Sequence, residues 1–454
     1  MSADTTTGAR VPAQRERDPS AEAERTVLAV LADLREGAAR GVVVDSPPGA
    51  GKSTLVVRAA REIAASGDPV MLVAQTNEQV DDLVDRIATA DPGLPVGRLA
   101  PEDYRPPDRV RAHGNVQVGT KVADLGSAAV IASTAAKWSF VDGLTWRWAI
   151  IDEAYQMRSD MLLRVAPRFE RALFVGDPGQ LDPFSTIEIP RWTGLTWDPM
   201  QNAVSVLLAH NPDVAQHRLP VSWRLPPSAA SVVSAAFYPF TPFVAGTAPG
   251  DRRLTFATTG FGGGAVDRAL ETAAETGWAL YELPARHTLR TDAEAVAACC
   301  ALALRLLERG AVAHSPDRSP AGEPVTPSRI AIGTAHRDQA AAIRSALAGR
   351  APGITVDTAN RLQGREYDVT IVLHPLSGRL DATAFHLETG RLCVLTSRHR
   401  HACIVVARAG IQELLDTHPS TEPVHLNVPV KFPDGWEANQ SILTHLTQYK
   451  VRAS

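Results

Sequence analysis

The segment Ser46-Pro47-Pro48-Gly49-Ala50-Gly51-Lys52-Ser53-Thr54 brings together residue types that can hold phosphate. Gly49 and Gly51 let the backbone curl so that its N–H groups converge on phosphate oxygens. Lys52 is placed to reach the terminal phosphates, and the Ser53 hydroxyl suits a Mg2+ ion. Further along, Trp148-Ala149-Ile150-Ile151 ends in the adjacent carboxylates Asp152 and Glu153. One can hold the metal, and the other can orient and deprotonate a water. A third segment, Phe174-Val175-Gly176-Asp177-Pro178-Gly179-Gln180-Leu181, offers the neutral amide of Gln180 as a sensor of the γ-phosphate. Each segment alone has a plainer reading: a glycine-rich turn with a surface lysine, a solvated acidic strand end, an Asp-Pro-Gly turn. Together, in this order, they describe hydrolysis of a nucleoside triphosphate.

Such residues need rigid elements behind them. Short apolar runs at 42–44, 70–74, 129–132, 148–151 and 172–175 have strand character, and helical segments separate most of them. That alternation predicts a parallel sheet covered on both faces. Val27, Leu28, Val30, Leu31 and Leu34 predict an amphipathic helix ahead of the first run. A second set of strand-like runs falls at 330–332, 369–373 and 403–406, with a helix over 291–309 capped by Thr291 and carrying Glu294 three residues on. Residues 260–264 and 315–327 read as loops by composition. The division this implies is a disordered N-terminus over 1–20, an α/β domain over 21–215, a second over 216–410, and an extension over 411–454 with a strand-like stretch at 424–432.

The chain has 454 residues, enough for two to four domains at roughly 150 residues each. Its net charge of −4 gives no whole-protein basic excess, so any grip on nucleic acid must be a local patch or channel. Lys137 and Arg361 are candidates for it. Cys299, Cys300, Cys393 and Cys403 show no metal-binding spacing and read as buried thiols in a reducing compartment. The polar N-terminus lacks the apolar core of a signal peptide, and no stretch reaches membrane-spanning length, so a cytoplasmic protein is expected.

The motif order resembles the superfamily 1 helicases, AAA-type P-loop ATPases, and within them the 5′-to-3′ branch of the nonsense-mediated-decay RNA helicases and their DNA-acting relatives. The resemblance spans about residues 25–408. Pro47 to Ser53 looks like that branch's G-P-P-G-T-G-K-T, Ala74 to Leu83 its A-P-S-N-x-A-V-D-x-L, Asp152 to Gln156 its D-E-A-x-Q, and Gly176 to Leu181 its G-D-x-x-Q-L. Val221-Ser222-Trp223-Arg224 stands where the family has Q-Y-R-M. Val356 to Glu366 resembles V-D-x-x-Q-G-x-E, and Arg391 to His399 resembles R-x-x-V-A-L-T-R-A.

The resemblance implies two RecA-like P-loop domains with parallel sheets and minimal accessory insertions, and an ATP·Mg2+ site between them. Pro48, Gly49, Ala50, Gly51, Lys52, Ser53 and Thr54 would hold the nucleotide. Ser53 and Asp152 would bind Mg2+, and Glu153 would be the general base. Gln180, Arg224 and the arginine finger Arg398 would act on the γ-phosphate. Trp223 would stack on the base, and Gly364 and Glu366 would face the nucleotide. Thr76, Asn77 and Thr358 would touch a single strand of DNA or RNA. A monomer suffices for such a site. Two departures stand out: the adenine-reading glutamine expected before the phosphate loop is replaced by Ala21-Glu22-Ala23-Glu24-Arg25, and the segment between Leu83 and Ala128 leaves room only for a vestige of the family's accessory domain. The missing accessory domain, the 411–454 extension and the lack of a basic surface keep a second reading open, a nucleotide-switched ATPase acting on a protein partner bound through that extension. A small-molecule P-loop kinase is a third, which the second α/β half argues against.

Overall fold

The computed structural model describes residues 18–36, 40–181, 183, 195, 198, 201–259, 263–288, 291–419 and 433–453. Residues 1–17 of the segment 1–20 expected to be disordered, the loop positions 260–262 and the strand-like stretch 424–432 lie outside them, while Pro19 and Ser20 open the helix Pro19–Glu36.

The first sheet contains β1 (Gly41–Asp45), β2 (Val70–Ala74), β3 (Val96–Leu99), β4 (Val116–Gly119), β5 (Val130–Thr134), β6 (Trp146–Asp152), β7 (Phe169–Gly176) and β8 (Ala215–Arg218). Their order is β4-β3-β5-β2-β6-β7-β1-β8, and every pair is parallel. Strands wrapped on both faces must be apolar throughout, and β2 and β5 are buried at every position. One face packs on the helices Pro19–Glu36, Lys52–Ala65 and Asn77–Ala90. The other packs around Trp138, Trp146 and Met157. In the first helix Val30, Leu31 and Leu34 are buried, but Leu28 is 48% exposed, on the side away from the sheet.

Beyond β8, the short strands β9 (Val221–Ser222) and β10 (Val244–Ala245) pair with each other. β11 (Arg253–Phe256) then enters a small antiparallel sheet, and β12 (Trp278–Leu283) enters a second parallel one. β13 (Ala311–Ser315) and β14 (Ser319–Pro324) complete the antiparallel sheet in the order β11-β13-β14. The composition of 315–327 pointed to a loop. Instead Ser319–Pro324 is an edge strand, a position that tolerates proline because the missing N–H faces away from the ladder.

β15 (Ile330–Thr334), β16 (Thr355–Thr358), β17 (Tyr367–Leu373), β18 (His399–Arg408) and β19 (Lys450–Arg452) join β12 in the order β16-β15-β17-β18-β12-β19, again all parallel. β17 and β18 are buried along their whole length. The helix Ala293–Glu308 is capped by Asp292 rather than Thr291. Its carboxylate accepts from the N–H of Glu294 and Ala295 and also pairs with Arg408, which binds it through two nitrogens at 2.5 and 2.8 Å. The helix Gly435–Thr447 packs into the core of the second sheet, and β19 pairs with β12 at its edge.

The molecule therefore has two RecA-like α/β domains, each a parallel sheet with helices on both faces. The segment between Leu83 and Ala128 supplies β3 and the edge strand β4 of the first sheet. All four cysteines are buried free thiols.

Candidate nucleotide cleft

In parallel α/β sheets, loops after the carboxyl ends of strands build the site. The loop after β1 turns through Gly49 at φ +72° and Gly51 at φ +88°, conformations open to glycine. A Cβ at Gly51 would meet nothing within 4 Å, so the space beside it is open. A Cβ at Gly49 would lie 2.2 Å from the Cβ of Arg224. The loop is held there by two bonds: Trp223 N–H donates to Gly49 O at 2.9 Å, and Ser222 Oγ donates to Pro48 O at 2.6 Å. Pro48 and Ala50 are buried, Ser53 is half-buried and Thr54 is exposed.

Lys52 opens the helix after this loop and points at the end of β6. It pairs closely with Glu153 and lies 3.5 Å from Asp152. Burial pulls the Lys52 ammonium down, but Asp152 and Glu153 outweigh it and hold the pKa above its ordinary value. Asp152 is raised by burial, with Lys52 opposing. Its Oδ1 is buried and faces Lys52 Nζ. Glu153 has φ +51°, the left-handed region, and among the described residues it is the sole non-glycine there. Such strain of about 1–3 kcal/mol persists where surrounding structure fixes it, often at functional sites.

At the end of β7, Asp177 is buried and raised by desolvation. It accepts from Gln180 Nε2 at 2.5 Å, from Tyr238 Oη at 2.8 Å and from Gly179 N–H at 2.9 Å. Gln180 thus stands against the second domain. There Gly390 approaches so closely that a Cβ would lie 2.9 Å from the Gln180 carbonyl carbon.

The second domain contributes arginines. Arg224 Nε donates to Glu366 at 3.3 Å, and its Nη1 donates to Ser397 O at 3.4 Å. Arg398 is 1% exposed. It donates to Val394 O at 3.1 Å and to Ser397 Oγ at 2.8 Å, and its Nη1 is buried without a hydrogen-bond partner. Burial, then the neighbouring Arg398, lowers the Arg224 pKa to about 10. Glu366 is raised by burial, but Arg224, Arg400 and Arg318 outweigh this and bring it to about 2.

Trp223 is half-buried, with its ring against Gly246, where a Cβ would lie 2.3 Å from it. Gly364 is exposed, at φ +77°. Lys52, Asp152, Glu153, Asp177, Gln180, Arg224, Glu366 and Arg398 thus converge on one cleft between the two domains. Arg252, Asp317, Arg318 and Arg400 also belong to it and were not singled out from the sequence. Arg400 was legible only as part of a basic run, and Asp317-Arg318 only as a turn.

The strand-contact candidates sit elsewhere, at other strand ends. Thr76 after β2 is exposed and caps the helix Asn77–Ala90, with Gln79 completing a capping box. Asn77 Oδ1 accepts from the fully buried Arg98 at 3.0 Å. Thr358 is buried at the end of β16. Arg361 is largely exposed and lies 3.7 Å from Asp357, and Lys137 follows β5. Arg365 and Glu78 make an ion pair at 2.8 Å across the two domains on this side.

No curated protein matches the chain. Two family profiles do, each described as an AAA domain, over residues 28–188 and 280–410. Among solved structures, that of the PRRSV helicase is 14% identical over 86% of this chain and 56% of its own, with a TM-score of 0.41. That of Arterivirus nonstructural protein 10 (helicase) with DNA is 15% identical over 87% and 65%, with a TM-score of 0.40. A second Arterivirus nonstructural protein 10 structure is 15% identical over 85% and 61%, with a TM-score of 0.42. The chain therefore spans less than two thirds of each of these proteins. Among the described residues, no helix is long and apolar enough to cross a membrane. An AAA-domain profile thus matches in each half of the chain, and the phosphate-loop motifs of the first half meet the motifs of the second in one cleft.

Proposed function

We propose that the protein hydrolyses ATP in the interdomain cleft and uses the resulting opening and closing to move along a single strand of DNA or RNA. The observation that carries this reading is the meeting of Lys52, Asp152 and Glu153 at the first sheet with Arg224 after β9 and Arg398 at the second sheet. The residues suit the ligand: a Cβ at Gly51 would meet nothing within 4 Å, and Arg398 Nη1 is buried without a hydrogen-bond partner. Ser53 and Asp152 would hold Mg2+, which neutralises charge on the phosphate oxygens.

Lys52 forms an ion pair with Glu153. Phosphate would take over Lys52 and leave the Glu153 carboxylate free to accept a proton from the attacking water. Arg224 is held beside the phosphate loop by the Ser222 and Trp223 bonds, whereas Arg398 approaches from the other domain, so its charge would reach the transferring phosphoryl only when the domains are together. Gln180, fixed by Asp177, carries that position across to the Gly390 contact. Trp223 supplies a π-face for the base. Thr76, Asn77 and Thr358 lie at strand ends on both sheets, where a strand laid across the two domains would be held chiefly by its phosphates.

The test is steady-state ATPase of the purified protein, alone and with single-stranded DNA or RNA at low salt, since a phosphate grip weakens steeply with salt. Stimulation by one strand type supports the motor and names its track. Intact hydrolysis indifferent to both would favour an ATPase switched by a protein partner.

A further inference from the structure

The segments that follow β2 in the first domain and β16 in the second are joined by an ion pair. Arg365 Nη2 donates to Glu78 Oε1 at 2.8 Å. Glu78 follows Asn77 in the first turn of the helix Asn77–Ala90, two residues after its cap Thr76. Arg365 follows Gly364, just beyond the short helix Ala359–Leu362 that begins after Thr358. The pair thus connects the two segments that carry Thr76, Asn77 and Thr358. Glu78 and Arg365 stand at open positions of the A-P-S-N-x-A-V-D-x-L and V-D-x-x-Q-G-x-E patterns, so the family resemblance gives neither a role.

The side chain of Glu78 is 67% exposed and that of Arg365 is 47% exposed. An exposed ion pair is weak glue, because water screens it and two long side chains must be held still. Open to solvent and weakly tied, Arg365 can exchange its carboxylate for another oxyanion. A guanidinium matches phosphate oxygens as well as it matches carboxylate oxygens. Arg361, 75% exposed on the same segment, lies 3.7 Å from Asp357 and adds a second guanidinium. Two exposed arginines after β16 make the local basic patch that a chain of net charge −4 needs if it is to hold a strand. Glu78 works against them. Its charge fills the place a phosphate would take and, once displaced, stands beside that phosphate with the same sign.

We propose that Arg365 binds a backbone phosphate of the single strand, and that Glu78 competes with that phosphate for its guanidinium. Gripping the strand then opens the ion pair between the domains, and closing the pair again helps to release the strand. Glu78 holds the affinity down, which suits a protein that must let go at each step. The contact is to phosphate, so it is indifferent to base sequence. The inference rests on the strand-motor reading of the protein.

The experiment measures Kd for labelled single-stranded oligo(dT) and oligo(U) by fluorescence anisotropy over a salt series, with wild type, Arg365→Ala, Glu78→Gln and the double variant. Both positions are exposed, and thermal melts verify that each variant is folded. On whichever strand binds, Arg365→Ala should weaken binding about threefold or more at low salt and reduce the salt slope by about one. Glu78→Gln should tighten it about threefold or more, since a like charge leaves the rim of the site. The double variant should behave like Arg365→Ala. An ion pair that only holds the domains together predicts the same change for both single variants. A Glu78→Gln protein that binds no tighter than wild type therefore overturns the inference, and so does an Arg365→Ala protein that binds as well as wild type. A wild type that hydrolyses ATP and binds neither strand refutes the strand-motor reading instead, and this inference with it.

Discussion

Arg98→Met should be the most damaging single change in the first domain outside the cleft. Arg98 is fully buried on β3. It donates to Asp81 Oδ1 at 2.7 Å, to Leu99 O at 2.8 Å and to Asn77 Oδ1 at 3.0 Å. Asp81 is 1% exposed, and its other oxygen accepts from Tyr104 Oη at 2.6 Å. Methionine matches the aliphatic stem but leaves a buried carboxylate with one hydroxyl partner. Breaking a buried pair from one side costs about 3–5 kcal/mol. With a urea slope of about 2 kcal/mol/M, that moves the unfolding midpoint down by about 2 M. The double variant Arg98→Met/Asp81→Leu removes both charges together and should recover most of the loss, to within about 1 kcal/mol of wild type. Urea unfolding followed by circular dichroism reads all three proteins. A single variant within about 1 kcal/mol of wild type, or a double variant no better than the single, would refute the claim that this pair is energetically buried.

Other outcomes concern the cleft and the histidines. Lys52→Ala should abolish hydrolysis. Glu153→Gln should retain ATP binding and block turnover, as measured by equilibrium binding beside steady-state ATPase; normal turnover would remove Glu153 as the base. Arg398→Lys should lower kcat by about 10³ while ATP still binds, because an ammonium cannot reproduce the guanidinium fork; a tenfold effect or less would argue against a finger. Burial depresses His374 and His386 to about 4 and His399 to about 3. The unfolded chain, with histidines near 6.5, therefore takes up protons that the folded chain cannot. Stability should be constant from these groups above about pH 6.5 and fall as pH drops toward 4 and 3. Melting temperatures across that range check it, and His386→Gln should flatten part of the slope.

Much of the fold was legible because parallel strands buried on both faces must be apolar, and β1, β2, β5, β6, β7, β15, β17 and β18 all announce themselves that way. The strands that escaped are edge strands or carry polar residues for reasons outside themselves. Arg98 makes β3 look like surface, yet it is buried because Asp81, on the helix Asn77–Ala90, meets it. β8, Ala-Gln-His-Arg, and β19 are edge strands with half their residues outward. β12 follows the helix Ala265–Thr276 with only Gly277 between, so no loop marks it.

The phosphate loop and the Asp152-Glu153 pair were visible because local backbone demands fix their types. The second-domain arginines were visible only through family resemblance. Arg252 and Arg318 were invisible even so, since what gives them a place is a carboxylate brought in by another element: Glu366 for Arg318, and Asp317 for Arg252.

Gly390 sets a mechanical condition on all of this. It meets the Gln180 backbone with no side chain between, so the first and second domains bear on each other there through bare peptide, which is nearly incompressible. A point of that kind cannot be squeezed shorter when the cleft tightens. Domains that close as proposed would pivot there, and the short helix Thr389–Thr396 between Gly390 and Arg398 would turn a small rotation into travel of that guanidinium.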